Sequence, residues 1–269
     1  AGFSHVPIIS LSTLKTDTQP GFSFTLPLAR KCLTALVYGD LLVRLILQTR
    51  PHERTKGSAR SLYESMLPSL YENIRSCSFS HFRENIRSIV RAFENIRVFD
   101  IPKPKVGIVG EIFAKYNPLS NNNLTEFLEK EGAEVHLPDL SDFFLYCLYT
   151  RIAKYELGLA NRVTKLSGSL GLRLFDVYRS PVLHALEDSK RFDRPGSIQT
   201  KAQLAKEFIS LGHHTGEGWL ITGEMAEMIE KGVSNILCVQ PFACLPNHIS
   251  GKSVFNAIKK KYPHANLAA

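Results

Sequence analysis

The sequence predicts an α/β protein, with a helix-rich segment over residues 1–103 and a parallel-sheet lobe of the doubly wound kind over 104–269. Three observations lead there. Composition is that of a globular chain, 269 residues with 44% hydrophobic and 22% charged, which excludes wholesale disorder. Apolar residues recur at helical spacing through the first hundred positions. Beyond Pro102-Lys103-Pro104 the pattern changes to strands alternating with helices through short links, which argues for a parallel sheet covered by helices.

Val6 to Leu11 reads as a short buried strand, followed by turn residues up to Pro20-Gly21. From Leu28 a helix is expected, with Cys32, Leu33, Leu36, Val37, Leu41 and Leu45 at spacings of three and four, stopping at Pro51. A second helical tract covers 58–96, broken near 76–80. Its end carries the clearest stripe in the chain: Ile86, Ile89, Val90, Phe93 and Ile96. Glu-Asn-Ile-Arg occurs at 72, 84 and 94, but the unequal spacing makes it recurring composition and not a structural repeat.

In the second segment, strands are expected at 105–109, 134–137, 235–239 and 265–268. Helices are expected at 123–131, 141–157, 161–188, 200–210, 220–231 and 251–260. Ligands of such sheets bind beyond the carboxyl ends of the strands, so the residues after Val109 and Val239 draw attention.

Net charge is +8, and the surplus sits mainly in residues 1–104, where 14 basic residues face 8 acidic ones. It is spread over helical stretches that also carry carboxylates, as around Arg83, Arg87, Arg91 and Arg97. An ordinary solvated helix face is the simplest reading, and neither a nucleic acid nor a membrane is an expected partner. The dense apolar run from Leu41 to Leu47 is interrupted by Arg44 and falls short of a membrane span. Five scattered cysteines, with no C-x-x-C pair, fit a reducing compartment, and the chain is expected to be cytoplasmic.

After the first strand, Gly110-Glu111 leads to Asn117-Pro118. Neither G-x-G-x-x-G nor a phosphate loop is present. Glu111 and Asn117 either cap nearby backbone groups or place a carboxylate at a cleft mouth. After the late strand comes Gln240-Pro241-Phe242-Ala243-Cys244-Leu245-Pro246-Asn247-His248, expected as a rigid loop that opens into a helix at Gly251. Two prolines fix the backbone on either side of one cysteine. Such a loop can hold a thiolate still, and soft metals and iron–sulfur clusters take thiolate ligands. Cys244 is therefore the candidate metal ligand.

Cys238 is expected to face the core, and Cys32 and Cys147 to behave as small hydrophobes in helices, while Cys77 lies in a polar turn. His213-His214 is a poor metal pair. Gly216-Glu217-Gly218-Trp219 is expected as a loop near the edge that carries Cys244, and a pairing of Cys244 with His248 or His213 lacks a third, orienting group.

These segments resemble one family. Val106-Gly-Ile-Val-Gly-Glu111 with Asn117-Pro118, Glu131-Gly-Ala-Glu-Val135, Gly216-Glu-Gly-Trp219, Gly223-Glu-Met225 and, above all, Gln240 to His248 are similar to the 2-hydroxyacyl-CoA dehydratase D-component family, the 2-hydroxyglutaryl-CoA dehydratase and benzoyl-CoA reductase group. The nearest likeness is to the C-terminal region of its large members, the CoA-substrate-specific enzyme activases.

The resemblance implies a Rossmann-like or flavodoxin-like lobe and a cysteine-ligated 4Fe–4S or double-cubane iron–sulfur cluster with Cys244 as a ligand. It also implies low-potential electron transfer from an ATP-dependent activator, with acyl-CoA as the family's substrate and pairing of subunits as a homo- or pseudo-homodimer. Pro241 and Pro246 would shape the ligand loop, within a site region of Gln240, Phe242, Asn247, His248, Glu217, Trp219, Glu111 and Asn117. No ATPase site is expected in this chain, and the sequence reads as a piece of a longer protein that could itself lack a cluster. A small-molecule lobe binding acyl-CoA at the edge of Glu111 and Glu217, and a non-catalytic assembly lobe with a basic docking face, are the alternatives.

Overall fold

A computed structural model describes residues 23–269. The expected strand at Val6–Leu11 lies outside them. Helix α1 (Leu26–Thr49) starts where the Thr25 hydroxyl caps the Leu28 amide and Pro27 occupies the first turn. It ends in a 3-10 turn, Arg50–His52, that contains Pro51. By length and composition, Leu26–His52 could cross a membrane. Here Val37, Leu41 and Leu45 are instead buried in protein, and Asp40, Arg44 and Arg50 have polar partners. The Asp40 carboxylate accepts from the amides of Leu140 and Ser141, and Arg44 pairs with Asp139 at 2.6 Å.

Helices α2 (Ser58–Ser76) and α3 (Phe79–Glu94) follow, divided at Cys77, whose φ of 54° ends α2 in a left-handed cap. Ile86, Ile89, Val90 and Phe93 of the expected stripe are buried on α3 together with Phe82, whereas Ile96 falls beyond the end of the helix and is only partly buried. Their core also takes Val182, Ala185, Leu186 and Phe192 from much later in the chain, so the helical segment does not close a core from its own residues.

The sheet is built from β1 (Lys105–Gly110), β2 (Glu134–His136), β3 (Asn235–Val239) and β4 (Asn266–Ala268). All pairs are parallel, in the order β2-β1-β3-β4. Between β1 and β2 run α4 (Ile112–Tyr116) and α5 (Leu124–Lys130). Between β2 and β3 run α6 (Ser141–Glu156), α7 (Arg162–Glu187), α8 (Ile198–Lys206) and α9 (Trp219–Glu230). After β3 come α10 (Leu245–Ser250), a turn, and α11 (Phe255–Lys261).

One face of the sheet packs Ile108 and Val135 against Leu47 of α1 and Leu124 and Leu128 of α5. The other packs Val109, Ile236 and Cys238 against Ile221, Met225 and Ile229 of α9 and Ile258 of α11. This is the doubly covered parallel α/β lobe that strand–helix alternation predicts. From β1 the chain passes to β2 on one side and later enters β3 on the other. The order therefore reverses between the carboxyl ends of β1 and β3, which is where open parallel sheets form a binding crevice.

Candidate functional site at the carboxyl edge of the sheet

Gly110 ends β1 with φ of 121°, and a Cβ there would lie 1.9 Å from the Val239 carbonyl oxygen. Only glycine allows that approach, and it brings the Glu111 amide to donate to Val239 O at 2.9 Å. The two strand ends are thus joined, and residues leaving β1 meet residues leaving β3.

Glu111 caps α4, its carboxylate accepting from the amides of Phe113 (3.1 Å) and Ala114 (2.7 Å). Asn117 accepts from the Leu119 amide at 2.9 Å. Both side chains take the capping role, and the short helix they bracket was not expected. Glu217 is mostly buried and joins three segments. One oxygen accepts from the Ile112 amide at 3.2 Å and the other from Asn247 Nδ2 at 3.0 Å. Both carboxylates proposed to face a ligand are therefore already engaged with donors of the protein.

Gly218 turns the chain into α9 with φ of 44°, where a Cβ would lie 2.3 Å from His213 O. Trp219 is fully buried, edge-on to Tyr146 and Tyr149, so it packs the core and does not line an opening.

The stretch after β3 differs from the expected loop. A turn closes from the Cys244 amide to Pro241 O, Ala243 takes φ of 61°, and α10 begins at Leu245, six residues before Gly251. Pro246 in the first helical turn explains the early start, since a fixed φ and a missing donor suit that position. Cys244 is thus the residue that caps α10, half-buried, between the exposed side chains of Phe242 and Leu245. Asn247, fully buried one turn on, donates to Cys244 Sγ at 3.0 Å. A chain of contacts, Ile112 amide to Glu217 to Asn247 to Cys244, runs across the switch point.

His248 does not pair with Cys244; its Nδ1 lies 3.1 Å from Gln240 Nε2. Cys238 is buried, and desolvation pushes its thiol up to about 12, so it is no ligand as it stands. Cys32 and Cys147, expected in apolar helical positions, are exposed, because each falls on the outer side of its helix. Cys77 is partly buried at the end of α2.

Cluster chemistry needs several thiolates, and Cys244 is one. Among the described residues no group of three or more histidine, cysteine, aspartate or glutamate side chains is placed so that it could hold a metal ion. The described residues therefore do not fit a complete iron–sulfur site. What the edge provides is a single accessible sulfur, oriented by an amide donor of the kind that tunes a thiolate ligand.

The folded chain holds a second polar centre outside the expected site, a layer of buried charge among α4, α6, α7, α8 and α9. Arg179 and Lys201 both approach Asp142, at 3.3 Å, and Lys201 also meets Glu227 at 2.6 Å. Lys115 donates to both oxygens of Glu224, at 3.0 and 3.1 Å, with almost no solvent contact. A partly open cavity of about 50 Å³ lies among Arg44, Asp142, Lys201, Glu224 and Glu227, room for a water or two. The signal was present in carboxylates embedded in apolar helical stretches, Asp142 before Phe143-Phe144 and Glu224 and Glu227 among Met225, Ala226 and Met228.

Burial raises Glu224 to about 7 despite Lys115. It also works against ionised Glu227, but Lys201 and Lys231 outweigh it and bring that group down to about 2. Comparison with protein-family models, with curated proteins and with solved structures finds no match for this chain, so the likeness to the dehydratase family rests on the residues quoted for it.

Proposed function

We propose that this chain is one lobe of an iron–sulfur electron-transfer protein of the 2-hydroxyacyl-CoA dehydratase and activase type, with Cys244 supplying one ligand to the cluster. The observation that carries this reading is the position of Cys244, a partly open thiol at the switch point of a parallel sheet, held by Asn247. The likeness of Gln240 to His248 to the family's motif supports it independently. The other thiolates, of a 4Fe–4S or double-cubane centre, would come from outside the described residues. Whatever brings them would cover Phe242 and Leu245, whose apolar surfaces flank the sulfur. On this reading the electron arrives from an ATP-dependent activator and the protein works in the cytoplasm.

The full-length protein, purified without oxygen, should carry iron and acid-labile sulfide and absorb broadly near 400 nm. Cys244→Ser should lower iron content at least twofold, whereas Cys147→Ser should leave it unchanged. Equal iron in the Cys244→Ser variant and the parent would remove Cys244 from the site and the reading with it.

A further inference from the structure

Helix α7 is apolar on two opposite faces. One face, through Leu172, Phe175, Val182 and Leu186, packs into the cores already described. The other carries Val163, Leu166, Leu170, Leu174 and Val177, each exposing more than half of its surface, with none of the described residues covering them. At 100° per residue these five fall within a sector of roughly 80°. A helix apolar on both sides belongs between two layers, and among the described residues only one layer is present.

The exposed stripe reads the same in both directions. The residues run Val, Leu, Leu, Leu, Val, at spacings of three, four, four and three, with Leu170 at the centre. A two-fold interface demands that property, because whatever residue i meets, the partner's copy of i must meet in return. Laid antiparallel, two copies set Val163 against Val177, Leu166 against Leu174 and Leu170 against itself.

We propose that α7 pairs with α7 of a second copy of this chain, antiparallel, about a two-fold axis through Leu170. The five side chains offer about 500 Å² of apolar surface, so a pair would bury about 1,000 Å², the lower bound for a specific interface. The same register brings exposed Arg162 within one helical turn of exposed Asp176 of the second copy, opposite charges at the rim of an apolar centre. A second copy satisfies the symmetry of this face and pairs Arg162 with Asp176, while Arg173 on the same flank stays at the solvated rim.

Sedimentation velocity on the full chain, from about 1 to about 100 µM, should show a monomer–dimer equilibrium. Leu170→Glu places two carboxylates at the axis and should raise the dissociation constant more than about 100-fold with an unchanged far-UV circular dichroism spectrum. Leu119→Glu, at an exposed leucine elsewhere, should leave it alone. The register is read separately, with Cys32, Cys77, Cys147 and Cys244 replaced by serine. In that background Leu170→Cys should form a disulfide-linked dimer under mild oxidation and Val163→Cys should not, since residue 163 meets 177. A wild-type chain that stays monomeric throughout, a Leu170→Glu variant that still dimerises, or equal cross-linking from both positions would each overturn the proposal. None of these measurements requires iron, so their outcome is separate from that of Cys244.

Discussion

Lys115 and Glu224 meet with almost no water around either of them. Desolvating two charges is costly, and their attraction offsets that cost only while both are present. Lys115→Met should therefore destabilise the fold by about 3–5 kcal/mol, through a carboxyl left without its cation. Replacing both, as Lys115→Met with Glu224→Leu, should recover most of the loss, and urea unfolding of the three proteins measures it. A double variant as unstable as the single one would show that the damage comes from packing and not from charge. At this scale the sequence was partly readable. Glu111 and Asn117 cap backbone as one reading held, and Cys238 faces the core. The partnership of Lys115 with Glu224 was hidden, because more than a hundred residues separate them and only the folded sheet brings them together.

Gly110 decides how two elements meet. A methyl group there would strike the Val239 carbonyl, and its φ is one that L-residues rarely adopt. Gly110→Ala should destabilise by about 2 kcal/mol or more and loosen the contact between Glu111 and β3. Hydrogen exchange should show faster loss of protection at the Glu111 amide than at those of α3, and equal protection would mean that the strand ends are held some other way.

Elements with a strong period were legible. Strand β3 is found at the residues expected, and the stripe is buried on α3 from Ile86 to Phe93, with Ile96 left beyond the helix end. Short pieces were not. The five residues of α4 are too few for a period to appear, and α10 was read as loop because two prolines look like breakers when one of them is a helix starter.

Across the whole molecule, the buried charge layer fixes how stability depends on pH. Asp40 and Glu224 both titrate near 7 in the folded state, raised by burial and, for Asp40, by Asp139 nearby. Each therefore costs stability as pH rises from about 4.5 to 7, where the unfolded chain would already have released the proton. Glu227 behaves in the opposite way, and so does Glu134, which burial would raise but which hydrogen bonds from His136 and His52 bring down to about 2. Their contribution is present above about 4.5 and disappears as pH falls toward 2. Urea midpoints should thus peak near pH 5. Glu224→Gln should flatten the limb between pH 5 and 7 without moving the acid limb, and a variant with the same slope as its parent would rule out Glu224 as the source. The class of fold was legible at this scale from strand–helix alternation, whereas the sharing of one core between α1–α3 and the end of α7 was not, since no local pattern announces a contact across the chain.

The pairing of β1 with β3 has a consequence for synthesis on the ribosome. Val106 lies beside Asn235, so β1 leaves the exit tunnel long before its neighbour is made. At 5–20 residues per second the wait is roughly 6–25 s. During that interval one side of a strand of apolar and small residues stands open to other nascent chains, and escape from aggregation then falls to the early helices or to a chaperone.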